Sequence, residues 1–277
     1  MCLIAWAWRP GAPRSLLLAA NRDEWLQRPA EPMHWWPAGD RGTPPILAGR
    51  DLLAGGIWLG LRRDGLFAAL TNVREAAPAD GARPSRGQLA LRFLQGRHPC
   101  RDDAPGAPRV EAWAAQLHER MHEYAGFNLL LGDLRRGEMA WISNRGGTAG
   151  IAPGVHGLSN AALDTPWPKV RRLKAVVEQR IAAPDDAQAT DDFEQLLAGL
   201  RDRQWAHDSE LPPLVPGLSL PPDWNRGLSA PFIELPEYGT RCSTLVRVDA
   251  DANVQVLEVQ HRGDAQRREF AWNWRTD

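Results

Sequence analysis

The chain enters its core at once. Cys2 to Trp8 (Cys-Leu-Ile-Ala-Trp-Ala-Trp) is apolar at every position, so neither side of the segment offers a polar face to water. Such a run reads as a strand buried on both sides. Arg9-Pro10-Gly11-Ala12-Pro13 follows as a turn signal, and Ser15 to Ala20 is a second apolar strand. The two predict a hairpin at the start of the chain.

The rest of the chain repeats this grammar. Gly56 to Leu61 and Leu66 to Thr71 are short apolar strands around Arg63-Asp64-Gly65. Ser85 with Gln88 has the spacing of a capping box and predicts a helix to about Gln95. Val110 to Glu123 has helical periodicity. Phe127 to Leu131 and Met139 to Ile142 predict another hairpin, and His156 to Ser159 a short strand. Lys169 to Ile181 and Asp191 to Arg201 predict a helix pair. Thr240 to Val248, Asn253 to Val259 and Arg267 to Trp274 complete the strands. Three proline- and glycine-rich stretches, 27–45, 99–109 and 211–231, read as loops. Strands joined by short turns and segregated from helices predict antiparallel sheets with helices packed on them, an α+β fold. No linker breaks the sequence, so residues 1–277 read as one domain.

Composition narrows the function. With 33 Lys and Arg against 34 Asp and Glu, the net charge is -1, which predicts neither nucleic acid nor an anionic membrane surface as a partner. Three cysteines, Cys2, Cys100 and Cys242, are an odd number and argue against a disulfide framework and for a reducing compartment. No signal peptide and no run of the ~18 apolar residues needed for a membrane span is evident, so a soluble, cytoplasmic protein is expected. Thirteen tryptophans against two tyrosines allow two readings, core filling or an aromatic pocket for a flat or greasy ligand.

Cys2 follows the initiator methionine directly. Removal of Met1, which a small second residue permits, places a thiol and a free α-amine on one carbon. That is a nucleophile with its own candidate base, since the two titrate near ~8.5 and ~8. By itself a cysteine there is equally a small apolar strand residue. Four polar strings close apolar strands: Asn21-Arg22-Asp23-Glu24, Thr71-Asn72-Val73-Arg74, Leu158-Ser159-Asn160 and Tyr238-Gly239-Thr240-Arg241. Each alone reads as turn chemistry or a surface ion pair. Together they supply what a cysteine hydrolase needs. An arginine favours thiolate, an aspartate orients the amine or the substrate amide, and asparagines donate into an oxyanion hole.

Met-Cys-Leu-Ile, Ala-Ala-Asn-Arg-Asp-Glu, Gly-Gly-Ile-Trp-Leu-Gly, Ala-Ala-Leu-Thr-Asn, Gly-Phe-Asn-Leu-Leu, Gly-Leu-Ser-Asn with Thr-Pro-Trp-Pro-Lys, and Tyr-Gly-Thr-Arg occur in that order from Cys2 to the 240s. In this the chain resembles the NRDE family, also called the transport-and-Golgi-organisation family. The resemblance implies the N-terminal-nucleophile hydrolase fold, a four-layer αββα sandwich. It also implies kinship with choloylglycine hydrolases and penicillin V acylases, which cleave amides. By that kinship Cys2 is the nucleophile, Arg22 and Asp23 the residues after the second strand, Asn72 and Asn160 oxyanion donors, and Arg241 the late arginine. The relatives separate their Arg and Asp by two residues, whereas Arg22 and Asp23 are adjacent. Neighbours on a strand face opposite ways, so one of them points differently from its counterpart. Asp23 is the better match.

Two functions of different class follow. The first is a cysteine amidohydrolase of linear, non-peptide amides that needs no cofactor. The second, in line with the family's association with haem movement and acyl-lipid metabolism, is a non-catalytic carrier of haem, acyl-CoA or lipid in the same cleft. In it His156 is the candidate axial haem ligand. The partner in either case is a small molecule, and the oligomeric state is open. No His-Glu-x-x-His, Cys-x-x-Cys or Walker A string occurs, so metal and nucleotide sites are not expected. His118 and His122 share a helix face without a third ligand and read as surface residues.

Overall fold

The computed structural model describes residues 2–39, 42–76, 83–102, 104–106, 109–183, 189–263 and 266–276. Its contacts divide the chain into two compact units interleaved in sequence. The first comprises Met1–Gln27, Arg74–Ala77 and Pro153–Asn273, and the second Arg28–Val73, Pro78–Ala152 and Trp274–Asp277.

The first unit is built on the opening hairpin. β1 (Cys2–Trp8) and β2 (Arg14–Trp25) pair antiparallel, with Gly11 supplying the positive φ of the turn at +83°. β10 (Gly154–Leu158), β11 (Tyr238–Asp249), β12 (Asn253–Gln260) and β13 (Arg267–Asn273) complete a six-stranded sheet in the order β10-β1-β2-β11-β12-β13. β1 is thus an interior strand, and Leu3 to Trp8 are all buried, as the absence of polar residues requires. One face carries Leu3, Ala5, Ala7, Leu17, Ala19, Leu245 and Leu257 against α3 (Pro168–Ala182) and α4 (Ala189–Leu200). Helix α4 meets it with Phe193, Leu196, Leu197 and Leu200, spacings of three, four and seven that make one apolar stripe. Truncating the fully buried Leu196 to alanine would cost about 2–5 kcal/mol.

The second unit has a seven-stranded sheet in chain order: β3 (Ala30–Trp36), β4 (Ile46–Asp51), β5 (Leu59–Arg62), β6 (Leu66–Asn72), β7 (Phe127–Asp133), β8 (Glu138–Ser143) and β9 (Gly147–Gly150). Leu66, Ala68 and Leu70 alternate onto one face of β6, as Phe127, Leu129 and Leu131 do on β7. That face packs on α1 (Arg86–Leu94) through Leu89, Phe93 and Leu94, and on α2 (Val110–His118) through Trp113 and Leu117.

Several expectations need correction. The stretch 27–45, read as a loop, contains β3; Pro32 is tolerated because β3 is an edge strand and its register slips between Glu31 and His34. β4 and β9 had no counterpart in the sequence reading. The loop 211–231 contains a single short turn of helix, α5 (Trp224–Gly227). Helix α1 starts after Ser85, yet Ser85 makes no side-chain cap, and Gln88 Nε2 instead donates to the Ala54 carbonyl at 3.1 Å. The helix expected over 110–123 ends at His118 and resumes as a 3₁₀ turn over Met121–Glu123. Among the described residues no helix is long and apolar enough to cross a membrane.

Core filling, one of the two readings of the tryptophans, holds for several of them. Trp6, Trp8 and Trp113 are core residues. Trp113, Trp141 and Trp36 each place the indole N–H on an acceptor, Arg97 O, Asn128 Oδ1 and Ala48 O, at 2.9, 3.1 and 3.0 Å. Trp25, 47 % exposed, instead stands 5.6 Å from both Trp224 and Tyr238, ring centre to ring centre.

Candidate active site

Antiparallel pairing assembles the site. Because β2 and β10 both run against β1, their C-terminal ends meet the strand's first residue. Cys2 is paired with Arg22, and Ile4 with Leu158, which leaves Ser159 and Asn160 beside the start of β1. β11 runs against β2, so its first residues lie beside the end of β2: Thr240 pairs with Asp23, and Cys242 with Arg22. The string Asn21-Arg22-Asp23-Glu24 therefore lies inside β2 rather than beyond it, because β2 extends to Trp25.

Residues paired across strands share a face. Cys2, Arg22 and Cys242 form one row, and Arg22, with 5 % exposure, lies between the two cysteines. Asp23, the next residue, projects to the opposite face. The adjacent Arg-Asp pair is thus divided between the two faces, with the arginine in the row of Cys2. All three cysteines are free thiols. Cys2 and Cys242 are separated by β2, about 10 Å at ordinary strand spacing, beyond the reach of a disulfide.

Asp23 is buried, and its partners come from β11. Thr240 Oγ1 donates to Asp23 Oδ1 at 2.7 Å and accepts the Ile233 N–H at 2.9 Å. Tyr238 Oη donates to the Asp23 carbonyl at 2.8 Å. Burial raises the Asp23 carboxyl above its ordinary range, while Lys169 and the Thr240 hydroxyl pull it back. Burial likewise raises the Cys2 thiol; the Asp23 carboxylate adds to this, and Arg22 opposes it.

Asn160 is held on both sides. Its carbonyl accepts the Arg74 N–H at 2.8 Å. Ser159 Oγ lies 3.0 Å from the Cys2 carbonyl and 3.1 Å from Asn160 Oδ1, two acceptors that share its one proton. These contacts keep Asn160 beside the start of β1.

Other sequence candidates are placed differently. Asn72 is the last residue of β6, paired with Phe127, and belongs to the second unit. Arg241 is the extra residue of a bulge between Thr240 and Cys242, and its Nη1 donates to the Trp25 carbonyl at 2.8 Å. β2 separates it from β1. Asn21 is an anchor: its Nδ2 donates to the Leu200 and Pro231 carbonyls, each at 2.9 Å, and its Oδ1 accepts from Ser243 Oγ at 2.6 Å. His156 faces Trp6 across β10 and β1, rings 5.5 Å apart, and its Nδ1 lies 2.8 Å from Asp164 Oδ2. Burial would raise Asp164, but bonds from His156, Lys174 and the Gly157 N–H prevail and lower it to about 2. His118 and His122 are exposed.

Lys169 closes the Thr-Pro-Trp-Pro-Lys string of the resemblance but was not read as a site residue. It is the second residue of α3, behind Pro168 at the first helical position, and is fully buried. Its Nζ has no hydrogen-bond partner among the described residues. Burial lowers its amine to about 8; Asp23 and Cys2 act in the opposite sense, and Arg74 in the same. The Arg74 guanidinium lies 4.6 Å over the Trp167 ring, its Nη1 donates to Asn225 Oδ1 at 2.9 Å, and burial lowers it to about 10. The available sequence signal was a lysine in the first turn of a helix, where the helix dipole disfavours a cation.

Comparison with known proteins bears on the family and the fold. The family model described as Transport and Golgi organisation 2 matches residues 1–262. The chain is 34 % identical over 279 residues to the Bos taurus Transport and Golgi organization protein 2 homolog, covering 93 % of this chain and 92 % of the relative. It is 32 % identical over 278 residues to the Homo sapiens homolog, with the same coverage. Among solved structures, penicillin V acylase from Agrobacterium tumefaciens superposes with a TM-score of 0.51 at 13 % identity, covering 100 % of this chain and 87 % of the acylase. A mutant of the conjugated bile acid hydrolase from Clostridium perfringens gives 0.50 at 8 % identity, covering 100 % of this chain and 93 % of the hydrolase. These likenesses show the N-terminal-nucleophile hydrolase fold, and the family match places the chain in the Transport and Golgi organisation 2 family.

Proposed function

We propose that the protein is an amidohydrolase of linear, non-peptide amides with Cys2 as its nucleophile. The observation that carries this reading is the meeting of Cys2, Arg22, Asp23 and Asn160 at one end of a rigid sheet. The amide-cleaving enzymes named above share the fold and motivate the choice of bond. In the proposed reaction Met1, which lies outside the described residues, is removed and the α-amine of Cys2 accepts the thiol proton. Sγ bonds to the substrate carbonyl carbon, and the Asn160 amide donates to the oxygen as it gains charge. The C–N bond breaks, and the leaving amine takes the proton from the α-ammonium. Water then hydrolyses the thioester, releasing the acid and restoring the thiol.

Intact mass and turnover of an N-acyl amide panel test this. A mature chain starting at Cys2, with activity abolished in Cys2→Ala, is expected. Retained Met1, or turnover that survives Cys2→Ala, overturns the reading.

The alternative, a haem or acyl-CoA carrier, draws its support from His156. A ring whose Nδ1 is held by a carboxylate has the orientation in which Nε2 serves as a metal ligand. Against it, the ring packs on Trp6 and is tied into the Asp164 and Lys174 cluster. Haemin titration separates the two: a Soret shift lost in His156→Ala supports the carrier, and an unchanged spectrum removes His156 as a ligand.

A further inference from the structure

We infer that Lys169 is a positioning residue of the Cys2 site, the buried counter-ion that keeps the Asp23 carboxylate ionised. The inference rests on the reading of Cys2 and Asp23 as the working end of the sheet. Pro168 starts α3, and Lys169 follows it into the interior of the first unit. Lys169 is closed to bulk solvent, and its Nζ has no hydrogen-bond acceptor among the described residues. The start of a helix adds a further penalty for positive charge. Such a group persists in its charged form only if an anion is near.

The charged and titratable groups that act on it are Asp23 from β2, Cys2 from β1 and Arg74 from the segment after β6. Arg74 is a second cation and cannot compensate the lysine. Cys2 is an anion only when its thiol ionises. Asp23 remains: by strand alternation it shares the β2 face of Leu17 and Ala19, on which α3 packs with Val170, the neighbour of Lys169, and after burial each of the two is the largest influence on the other. After Lys169, the amino terminus also favours the Asp23 carboxylate and Glu24 opposes it; Thr240 supplies one hydrogen bond, but a hydroxyl carries no net charge to balance a buried carboxylate. Lys169 thus keeps Asp23 ionised at the end of β2, on the face opposite the row of Cys2 and Arg22, where a protonated acid could not accept a hydrogen bond from the α-amine or a substrate amide.

The test is a carboxyl-carbon NMR titration of protein labelled at aspartate, with Asp23 assigned from Asp23→Asn. In Lys169→Met the Asp23 midpoint is expected to rise by about one pH unit or more, the size of an opposite-charge effect at close range. Lys169→Arg, which keeps the cation, is expected to stay near wild type. If the arginine variant does not fold, the methionine variant alone decides. An Asp23 midpoint unchanged in Lys169→Met overturns the inference, whether or not amide turnover is found. If turnover is present, its acid limb moves up in step with the Asp23 midpoint, whereas a merely structural lysine would lower the rate at every pH alike. Loss of turnover in Cys2→Ala bears on the nucleophile, not on Lys169, so the two claims fail separately.

Discussion

A buried ammonium without a hydrogen-bonded acceptor should cost the fold stability, and Lys169→Met makes that cost measurable. The gap between the ordinary value of 10.5 and about 8 corresponds to roughly 3 kcal/mol at neutral pH. That figure is net of the attraction to Asp23, which already acts on the same amine. Methionine matches the length of the lysine stem and carries no charge in either state, so the variant should gain roughly 3 kcal/mol at pH 7. The sign fixes the pH dependence. The folded amine titrates below the unfolded one, so between about 8 and 10.5 the unfolded chain holds more protons and wild-type stability rises with pH. The advantage of methionine should therefore fall to about 1 kcal/mol or less by pH 10. Urea unfolding of both proteins at pH 7 and pH 10 measures this, with groups common to both cancelling in the difference. A variant less stable than wild type at pH 7, or a gain that does not shrink at pH 10, would refute the reasoning.

Four further outcomes are expected. Thr240→Val removes both the bond to Asp23 and the acceptor for the Ile233 N–H, and should cost about 3 kcal/mol by urea unfolding; Thr240→Ser, which keeps the hydroxyl, should cost about 1 kcal/mol. Asp192 joins Arg14 and Arg180 in a buried cluster at 3.3 and 2.8 Å, so Asp192→Ala should cost about 3–5 kcal/mol in the same assay by leaving those cations unbalanced. His261, whose Nε2 lies 2.7 Å from Ser243 Oγ, is lowered to about 4 by burial and by Arg201, Arg203 and Arg262. The unfolded chain binds the extra proton first, so stability should fall as pH drops from about 6.5 to 4, and His261→Gln should flatten that slope in a series of melts. In the second unit a Cβ on Gly56 would lie 2.4 Å from the Gly87 carbonyl carbon at the start of α1, so Gly56→Ala should lower the melting temperature by several degrees.

What the sequence disclosed, and what it withheld, follow from where the physical signal resides. β1 was legible because every residue from Leu3 to Trp8 is buried, and α3 and α4 because their apolar stripes keep the helical period. β3 was hidden because an edge strand needs no alternation and tolerates Pro32, so its composition matches that of a loop. Cys2, Arg22, Asp23 and Asn160 were legible as polar residues at the ends of apolar strands, a local signal that antiparallel pairing converts into proximity. The place of Arg241 was not legible because a one-residue bulge decides where its side chain goes, and no residue type announces a bulge. Lys169 was missed for a different reason: its depth depends on α3 packing on the sheet, and sequence spacing carries no trace of how deeply the first turn of a helix is buried.

The residues that form the core and those that form the site obey opposite rules. From the pair Trp8–Leu16 to the pair Ile4–Ala20 the β1–β2 hairpin is buried with apolar side chains, whereas Asn21, Arg22 and the following Asp23 are buried polar residues. A fold selected for stability alone would place hydrophobic residues there, because replacing buried ion pairs by apolar groups is often neutral or stabilising. The same holds for Lys169, which a methionine should improve. Burial of an arginine, an aspartate and a lysine in the unit that holds Cys2 is what the proposed site would require if its charges are to be held away from water to act strongly on a bound molecule. Stability gained at Lys169 together with loss of an ionised Asp23 would make that exchange visible in one variant.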